Sequence, residues 1–543
     1  MNTSTNTTTS ESKELSTIDM VLLFVVVLLP VVCNLAYTIY RFITKKNTGR
    51  RVAVNTIPVA LSLTASYLSA NTIMGVPAIM INQGLTYWFL ILVFPISMAI
   101  VAHLILPVTY NANLPDIYKY LELRYSRWFR LLGAAVFCIL QMVYLSIVLH
   151  GPAIFFELIL KKDSTVSIIS IGLICSLYTA LGGLKANTYI EAFQLITMFI
   201  GLLAIVISTF SSRNVAEVFY NATINDTAAS MFQEGKNYSV TSTIIGGTVL
   251  YASIYAVNQS QVQRYFSCSS LKKAKWSLWL NSPGLIVIVS LCCMLGAVLR
   301  TSELKKESKI DKQAARFMVE EVDVGVAGLF VAGVFNATMS SISCGLSATN
   351  SVLFRNLLPK CITQMRNSEV ASSILSFFVG ILCIGLAILI KNQQGILKAS
   401  FSFYGIFCCP MFGIFILGIF FPFVHKWGAL VSLIVTIPFL LSLYIGNTMM
   451  PNPDFAKPLQ NLYSINFFWY GPLGITMVII IGIVFSKIIG GFQDPSDVPR
   501  YLLSPITLKI MDRRKKYEPE GDEKFYLQTM DSTETQKLNV SDA

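Results

Sequence analysis

Runs of about 20 apolar residues recur along this chain, each long enough to cross the ~30 Å hydrocarbon core of a bilayer. Backbone N–H and C=O groups in hydrocarbon must be satisfied within the protein, so segments of this length and composition specify helices. About thirteen such runs are centred near Val26, Ala65, Leu92, Leu140, Leu173, Phe199, Gly247, Val287, Val334, Gly380, Phe412, Ile434 and Val478. Hydrophobic residues fill 54% of the 543 positions and charged residues only 13%, a balance that excludes a soluble domain of this size. The expected fold class is an all-α polytopic membrane protein with about 13 transmembrane helices.

The net charge of +12 is distributed as loop charge rather than as a nucleic-acid patch. Arg41, Lys45, Lys46, Arg50 and Arg51 form one cluster, Lys119, Arg124, Arg127 and Arg130 a second, and Lys272, Lys273 and Lys275 a third. Read as cytoplasmic loops, these place the N-terminus and the segment from Ser211 to Thr241 outside. The N-x-S/T acceptors at Asn2, Asn6, Asn221, Asn225 and Asn237 fall in those outer segments, whereas Asn336 and Asn539 fall in a span and in the cytoplasmic tail and are discounted. One loop opposes the topology: Lys305, Lys306, Lys309, Lys312 and Arg316 sit outside, offset in part by Glu303, Glu307 and Asp311. The first run, from about Ile18 to Ala36, follows a polar tail with little basic charge and no obvious small-residue cleavage site, and reads as a retained span. The expected organisation is an extracellular tail over 1–17, a transmembrane transporter domain over 18–490 with its core at about 56–421, and a charged, flexible cytoplasmic tail over 491–543. The 11 cysteines give neither a disulfide framework nor a metal spacing. A multi-pass plasma-membrane glycoprotein is the expected setting.

Two distant stretches put small hydroxyl residues inside apolar runs: A-S-Y-L-S-A-N-T from Ala65 and N-A-T-M-S-S-I-S from Asn336. A hydroxyl or freed carbonyl there needs a partner, and a small desolvated cation is one. Helix breakers accompany them. Pro58, Gly75 and Pro77 bracket the second run, Gly325, Gly328 and Gly333 precede the polar part of the ninth, and Cys409-Pro410 interrupts the eleventh. Broken helices at corresponding positions of two halves mark a transport site. Runs two to six and seven to eleven form two sets of five, and an odd number of crossings makes the sets face opposite ways. A five-plus-five inverted-repeat core with discontinuous helices is therefore expected.

Five segments carry a family resemblance: P-V-A-L-S-L-T-A-S-Y-L-S-A from Pro58, Y-L-E-L-R-Y from Tyr120, L-G-G-L-K-A from Leu181, V-N-Q-S-Q-V-Q-R-Y from Val257 and F-N-A-T-M-S-S-I-S from Phe335. Spread in order along the chain, they resemble the sodium/solute symporter family, and within it the animal branch of sodium-coupled monocarboxylate, iodide and multivitamin transporters. The resemblance implies a sodium site made by the carbonyls of Ala65, Leu68 and Ala337 with the hydroxyls of Ser340 and Ser341. That chemistry suits a hard cation, since a broken helix frees carbonyls and small side chains let them converge. An isolated serine in a membrane helix is ordinarily bonded to its own backbone or to a neighbouring helix; the paired stretches and the family register favour the ion. Glu191 stands where many members carry Asp after Thr near the sodium exit path. Here the pair reads Ile190-Glu191, and the acid either attracts sodium or pairs with Lys185 or Arg264. Glu157 reads as an interface residue. The register places Asn71, Thr72, Gln141, Tyr144, Tyr251, Tyr255 and Asn258 around the central solute cavity, although each also has a packing role open to it.

The implied function is sodium-coupled symport of a small organic or anionic solute by alternating access, with sodium co-transported and a monocarboxylate, iodide or vitamin as partner. A solute sensor or inactive relative is the alternative, and an ion channel a third class. Enzyme chemistry has no support, since His103, His150 and His425 are scattered and no nucleophile constellation or phosphate loop accompanies them.

Overall fold

The computed structural model describes residues 16–44, 55–160, 163–181, 184–211, 213–223, 239–302, 310–320, 322–358, 368–391, 395–449 and 462–514, and no β-strand occurs among them. Nine helices among the described residues are long and apolar enough to cross a membrane, and the bent pair Thr56–Ser66 with Ala70–Ile81 makes ten. Three shorter apolar helices, Thr17–Cys33, Ser164–Leu177 and Ser242–Val257, cover the other expected centres. Every one of the thirteen expected centres thus falls on an apolar helix, nine or ten of which meet the length for a span among the described residues. Ser242–Val257 is short because the chain leaves helical geometry at Asn258, φ −79° and ψ 116°, before resuming as Gln259–Tyr265.

The breaks are arranged differently from expectation, and more symmetrically. One lies at Leu68–Ser69, both extended, between Thr56–Tyr67 and Ala70–Gln83, with a bend of 55°. The other is that at Asn258. These are the opening helices of the two sets of five, as an inverted repeat requires. The ninth run, by contrast, is one continuous helix, Val326–Val352. Its glycines serve approach rather than breakage: a Cβ at Gly328 would lie 2.5 Å from the Asp19 backbone, and one at Gly333 3.4 Å from Met198 Cα. The eleventh widens into a π-turn at Tyr404–Cys408 that leads into Cys409–Phe420, which absorbs Pro410 without a break.

Val326–Val352 is the central helix. Of its most apolar stretch 94% is buried, against 22% for the late helix Phe467–Ile489. It packs against Thr17–Thr44, Thr56–Tyr67, Arg127–Val148 and Leu184–Ser211. Its start is capped from another helix, because the buried Asp19 carboxylate accepts from the N–H groups of Gly325 and Gly328, each at 2.8 Å. An acid meets the positive end of the helix dipole there, and Gly325 supplies the φ of +90° that the turn needs. Asp311 repeats the device, accepting from Gly395 N at 3.0 Å and Ile396 N at 3.3 Å at the start of Ile396–Phe403. Asp311 therefore caps a helix, while Lys312 pairs with Glu157 at 2.8 Å and Arg316 with Glu320 at 3.5 Å.

The Y-L-E-L-R-Y segment anchors the chain end. Arg124, 6% exposed, donates to the carbonyls of Gly418, Phe421, Pro422 and Val424 at 3.0–3.4 Å, which satisfies the carboxyl end of Cys409–Phe420. Beside it Glu122 is partly buried, which raises its pKa, but the bonds from Lys119 and Arg130 outweigh burial and hold it below the usual carboxylate range. Residues 493–514 depart from the expected flexible tail. Val498, Leu502 and Leu503 are buried, Tyr120 donates to Leu502 O at 3.1 Å and Ser504 N to Ile419 O at 3.1 Å. Asn221 is exposed on Val215–Thr223, whereas Asn2, Asn6, Asn225, Asn237 and the tail beyond 514 lie outside the described residues.

Arg124→Ala is expected to cost about 3 kcal/mol, since charge-assisted hydrogen bonds contribute about 1.5–3 kcal/mol and their carbonyls are left unpaired. Melting of the detergent-solubilised protein checks this. Arg124→Lys should recover only part of the loss, because a point ammonium cannot span four carbonyls.

Candidate functional site

A hydroxyl in a membrane helix normally bonds a carbonyl one turn back, and many here do. Thr338 donates to Val334 O, Thr209 to Ile205 O, Thr179 to Cys175 O and Ser176 to Gly172 O, all at 2.6–3.0 Å. Ser340 and Ser341 depart from that pattern. Ser340 Oγ donates across to Ala65 O at 3.3 Å, and Ser341 Oγ is buried with no bond one turn back along its own helix, its neighbour being the Tyr144 hydroxyl. Ala65 belongs to the last turn before the Leu68–Ser69 break, where carbonyls lose their partners four residues on. Ala65, Leu68 and Ala337 are all fully buried. The residues present therefore fit a small hard cation, offering neutral oxygens at a helix end and a serine hydroxyl facing it. Clusters of three or more His, Cys, Asp or Glu that could hold a metal are absent among the described residues, so neutral oxygens are the available ligands.

The second break is closed by protein instead. Tyr118 OH donates to Val257 O at 3.1 Å and Tyr265 OH to Tyr255 O at 2.9 Å. The Asn258 side chain caps the following half-helix, its Oδ1 accepting from Ser260 N at 2.9 Å and from Ser260 Oγ at 2.6 Å. Ser66 Oγ donates to Gln261 Oε1 at 3.1 Å and so ties the two broken helices together.

A small cavity opens between the broken helices, Arg127–Val148, Val326–Val352 and Ile396–Phe403. Of the expected solute residues, Asn71, Thr72, Gln141 and Tyr144 line it. Tyr251, Tyr255 and Asn258 do not. Tyr251 packs edge-on against Phe94 and Phe401, Tyr255 lies fully buried one turn before the break, and Asn258 spends its oxygen on the cap. They hold the wall's shape from behind. The lining also includes Ser69, from the first hydroxyl stretch, and residues that the sequence did not single out, among them Ser400, Phe401 and Tyr404. Only the juxtaposition of Ile396–Phe403 with Ala70–Gln83 reveals these. Ser341 belongs to the lining as well, next in sequence to Ser340, which bonds the Ala65 carbonyl at the break. No Asp, Glu, Lys, Arg or His lines it.

Glu191 is 1% exposed and paired with Arg264, as the second of its expected roles has it. Both guanidinium Nη atoms donate to its carboxylate, Nη2 to Oε1 at 3.0 Å, and Ser62 Oγ donates to Oε2 at 2.8 Å. Arg264 also donates to Ser62 O at 3.2 Å and Ser260 O at 3.3 Å. A carboxylate neutralised in this way has little field left for a passing cation. It joins Leu184–Ser211 to both broken helices.

The profile of the Sodium:solute symporter family matches residues 47–436. The chain is 29% identical over 503 residues to the sodium-dependent multivitamin transporter of Oryctolagus cuniculus, across 84% of this chain and 79% of the relative. It is 30% identical over 508 residues to sodium-coupled monocarboxylate transporter 1 of Mus musculus, across 83% of each. Among solved structures, a Na+-coupled sialic acid symporter in a substrate-bound outward-open state superposes with a TM-score of 0.73 at 21% identity, over 88% of this chain and 99% of the other. That likeness is one of fold.

The buried pair yields a double-mutant test. Glu191→Gln or Arg264→Gln alone strands a buried charge and should cost about 3–5 kcal/mol, read as loss of folded protein and a lower melting temperature. Combining the two removes both charges and should restore most of the stability, an interaction energy that a cycle measures.

Proposed function

Because the chain belongs to the sodium:solute symporter family, we propose that it carries a small organic anion across the plasma membrane together with sodium, by alternating access between two faces. The protein is a transporter and not an enzyme, as are its relatives. The observation that carries the reading is the Ser340–Ser341 pair: Ser340 Oγ bonds the carbonyl of Ala65 at the helix break, and the adjacent Ser341 lines the cavity. Sodium held by the carbonyls of Ala65, Leu68 and Ala337 and the hydroxyls of Ser340 and Ser341 places a positive charge on the wall of a cavity that otherwise has none. The first turn of Ala70–Gln83 supplies Ser69, Asn71 and Thr72 to the same wall, and its N-terminal dipole favours a carboxylate. Named relatives carry monocarboxylates or vitamins, which agrees with a small acid as cargo.

In this mechanism the ion and the solute stabilise one another. Sodium steadies the break against Val326–Val352, the solute's charge is met by that sodium, and the loaded bundle then reopens to the other side. The membrane potential adds about 2.3 kcal/mol per charge per 100 mV, so movement of net positive charge inward concentrates the solute. The proposed orientation has the N-terminus extracellular and the C-terminus cytoplasmic, with the basic loop clusters inside and glycans on Asn2, Asn6, Asn221, Asn225 and Asn237 outside.

Ser341→Ala should raise the sodium concentration for half-maximal uptake by about tenfold, the equivalent of one lost ligand contact of ~1.4 kcal/mol, with surface expression intact. Tracer uptake against a sodium series measures it. An unchanged sodium dependence would remove that hydroxyl from the site, and saturable binding without uptake would favour a sensor.

A further inference from the structure

On the reading of this cavity as the solute site, we propose that Asn71 selects solutes bearing a hydrogen-bond donor, a hydroxyl or N–H group, over otherwise equal acids that lack one. The argument begins at Ser400. Its hydroxyl proton is committed, since Ser400 Oγ donates to Ile396 O at 2.9 Å. Ser400 Oγ can then only accept from Asn71, and Asn71 Nδ2 lies 2.9 Å from it. The orientation of the carboxamide is thereby fixed, with its nitrogen towards Ser400 and its oxygen turned away.

That oxygen is unsatisfied. Asn71 is 1% exposed, it lines the cavity, and Oδ1 has no hydrogen-bond partner. Two of the cavity hydroxyls spend their protons elsewhere. Ser66 gives its proton to Leu63 O or Gln261 Oε1, and Ser260 gives its own to Asn258 Oδ1 or Gln141 Oε1. This side of the cavity is therefore an acceptor without a donor, while Ser341 and sodium serve the anionic end. A buried acceptor left unpaired is penalised, and a site built to bond a hydroxyl rejects the analogue that lacks it.

The arrangement is held rigidly. One turn along from Asn71, a Cβ at Gly75 would lie 2.5 Å from Leu397 Cβ, so Ala70–Gln83 and Ile396–Phe403 touch backbone to side chain beside the Asn71–Ser400 bond. The carboxamide is thus presented by two helices in direct contact and not by a loop.

The test compares matched acids on the full-length protein in proteoliposomes: lactate against propionate, and 3-hydroxybutyrate against butyrate, each as sodium-dependent uptake with its half-saturating concentration. The hydroxylated member of each pair should be favoured by about tenfold or more, the equivalent of one hydrogen bond. Asn71→Ala should bring the ratio to about one. Ser400→Ala, which frees the carboxamide to turn, should lower it in the same direction and serves if Asn71→Ala does not fold. Equal affinities in the wild type, or a preference that survives both substitutions, would overturn the inference while leaving sodium-coupled transport standing. Absence of sodium-dependent uptake for every acid would overturn the reading of the site and this inference with it.

Discussion

A carbonyl freed where a membrane helix stops has no water to turn to, and the structure resolves that debt in two different ways. At Asn258 the protein closes the break itself, with tyrosine hydroxyls on Val257 and Tyr255 and an asparagine cap on the next half-helix. At Leu68–Ser69 the break faces the serine pair of the most buried helix in the bundle, one of them bonded to Ala65 O and the other lining the cavity. One break is finished architecture, and the other offers oxygens that an ion can complete. The rest of the site follows from that asymmetry.

Coupling between ion and solute needs no long pathway in this geometry. Ser340 bonds the carbonyl at the break and the adjacent Ser341 lines the cavity, and the first turn after the break supplies Asn71 and Thr72 to it. Linkage then requires reciprocity: whatever sodium does for solute affinity, the solute does for sodium affinity. Among the described residues no charged side chain lines the cavity, so on the proposed reading sodium is the charge that an anionic solute would meet there. The buried Glu191–Arg264 pair lies on the same broken helices yet is charge-neutral, so it ties elements together while leaving sodium as the principal local charge.

Much of this was legible in the sequence, and the failures have physical causes. Hydropathy located the apolar helices among the described residues, but it could not show the break at Asn258, because a helix interrupted there looks continuous in composition. Glycine and proline misled for a related reason. Gly328 and Gly333 were read as breakers and are approach points for Asp19 and Met198, while the true second break has Asn at its pivot and no Gly or Pro. The hydroxyl stretches at Ala65 and Asn336 do face one another, as family register implied. Solute residues divided by helix face: Asn71, Thr72, Gln141 and Tyr144 reach the cavity, whereas Tyr251 and Tyr255 pack behind it, a distinction of rotation that sequence position does not carry. Ser400 and Tyr404 were invisible because nothing local marks Ile396–Phe403 as the opposite wall. Residues 493–514 were taken for a flexible tail on charge alone, although Val498, Leu502 and Leu503 give them an apolar anchor.

The central claim is that sodium sits between the end of Thr56–Tyr67 and the serines of Val326–Val352. An experimental map of the sodium-loaded protein at a resolution that separates ions from side chains tests it most directly. The account predicts density about 2.3–2.6 Å from the carbonyl oxygens of Ala65, Leu68 and Ala337 and the hydroxyls of Ser340 and Ser341, the range oxygens keep from a hard cation of this size. Density at another place, with Ser341 bonded one turn back along its own helix, would contradict it.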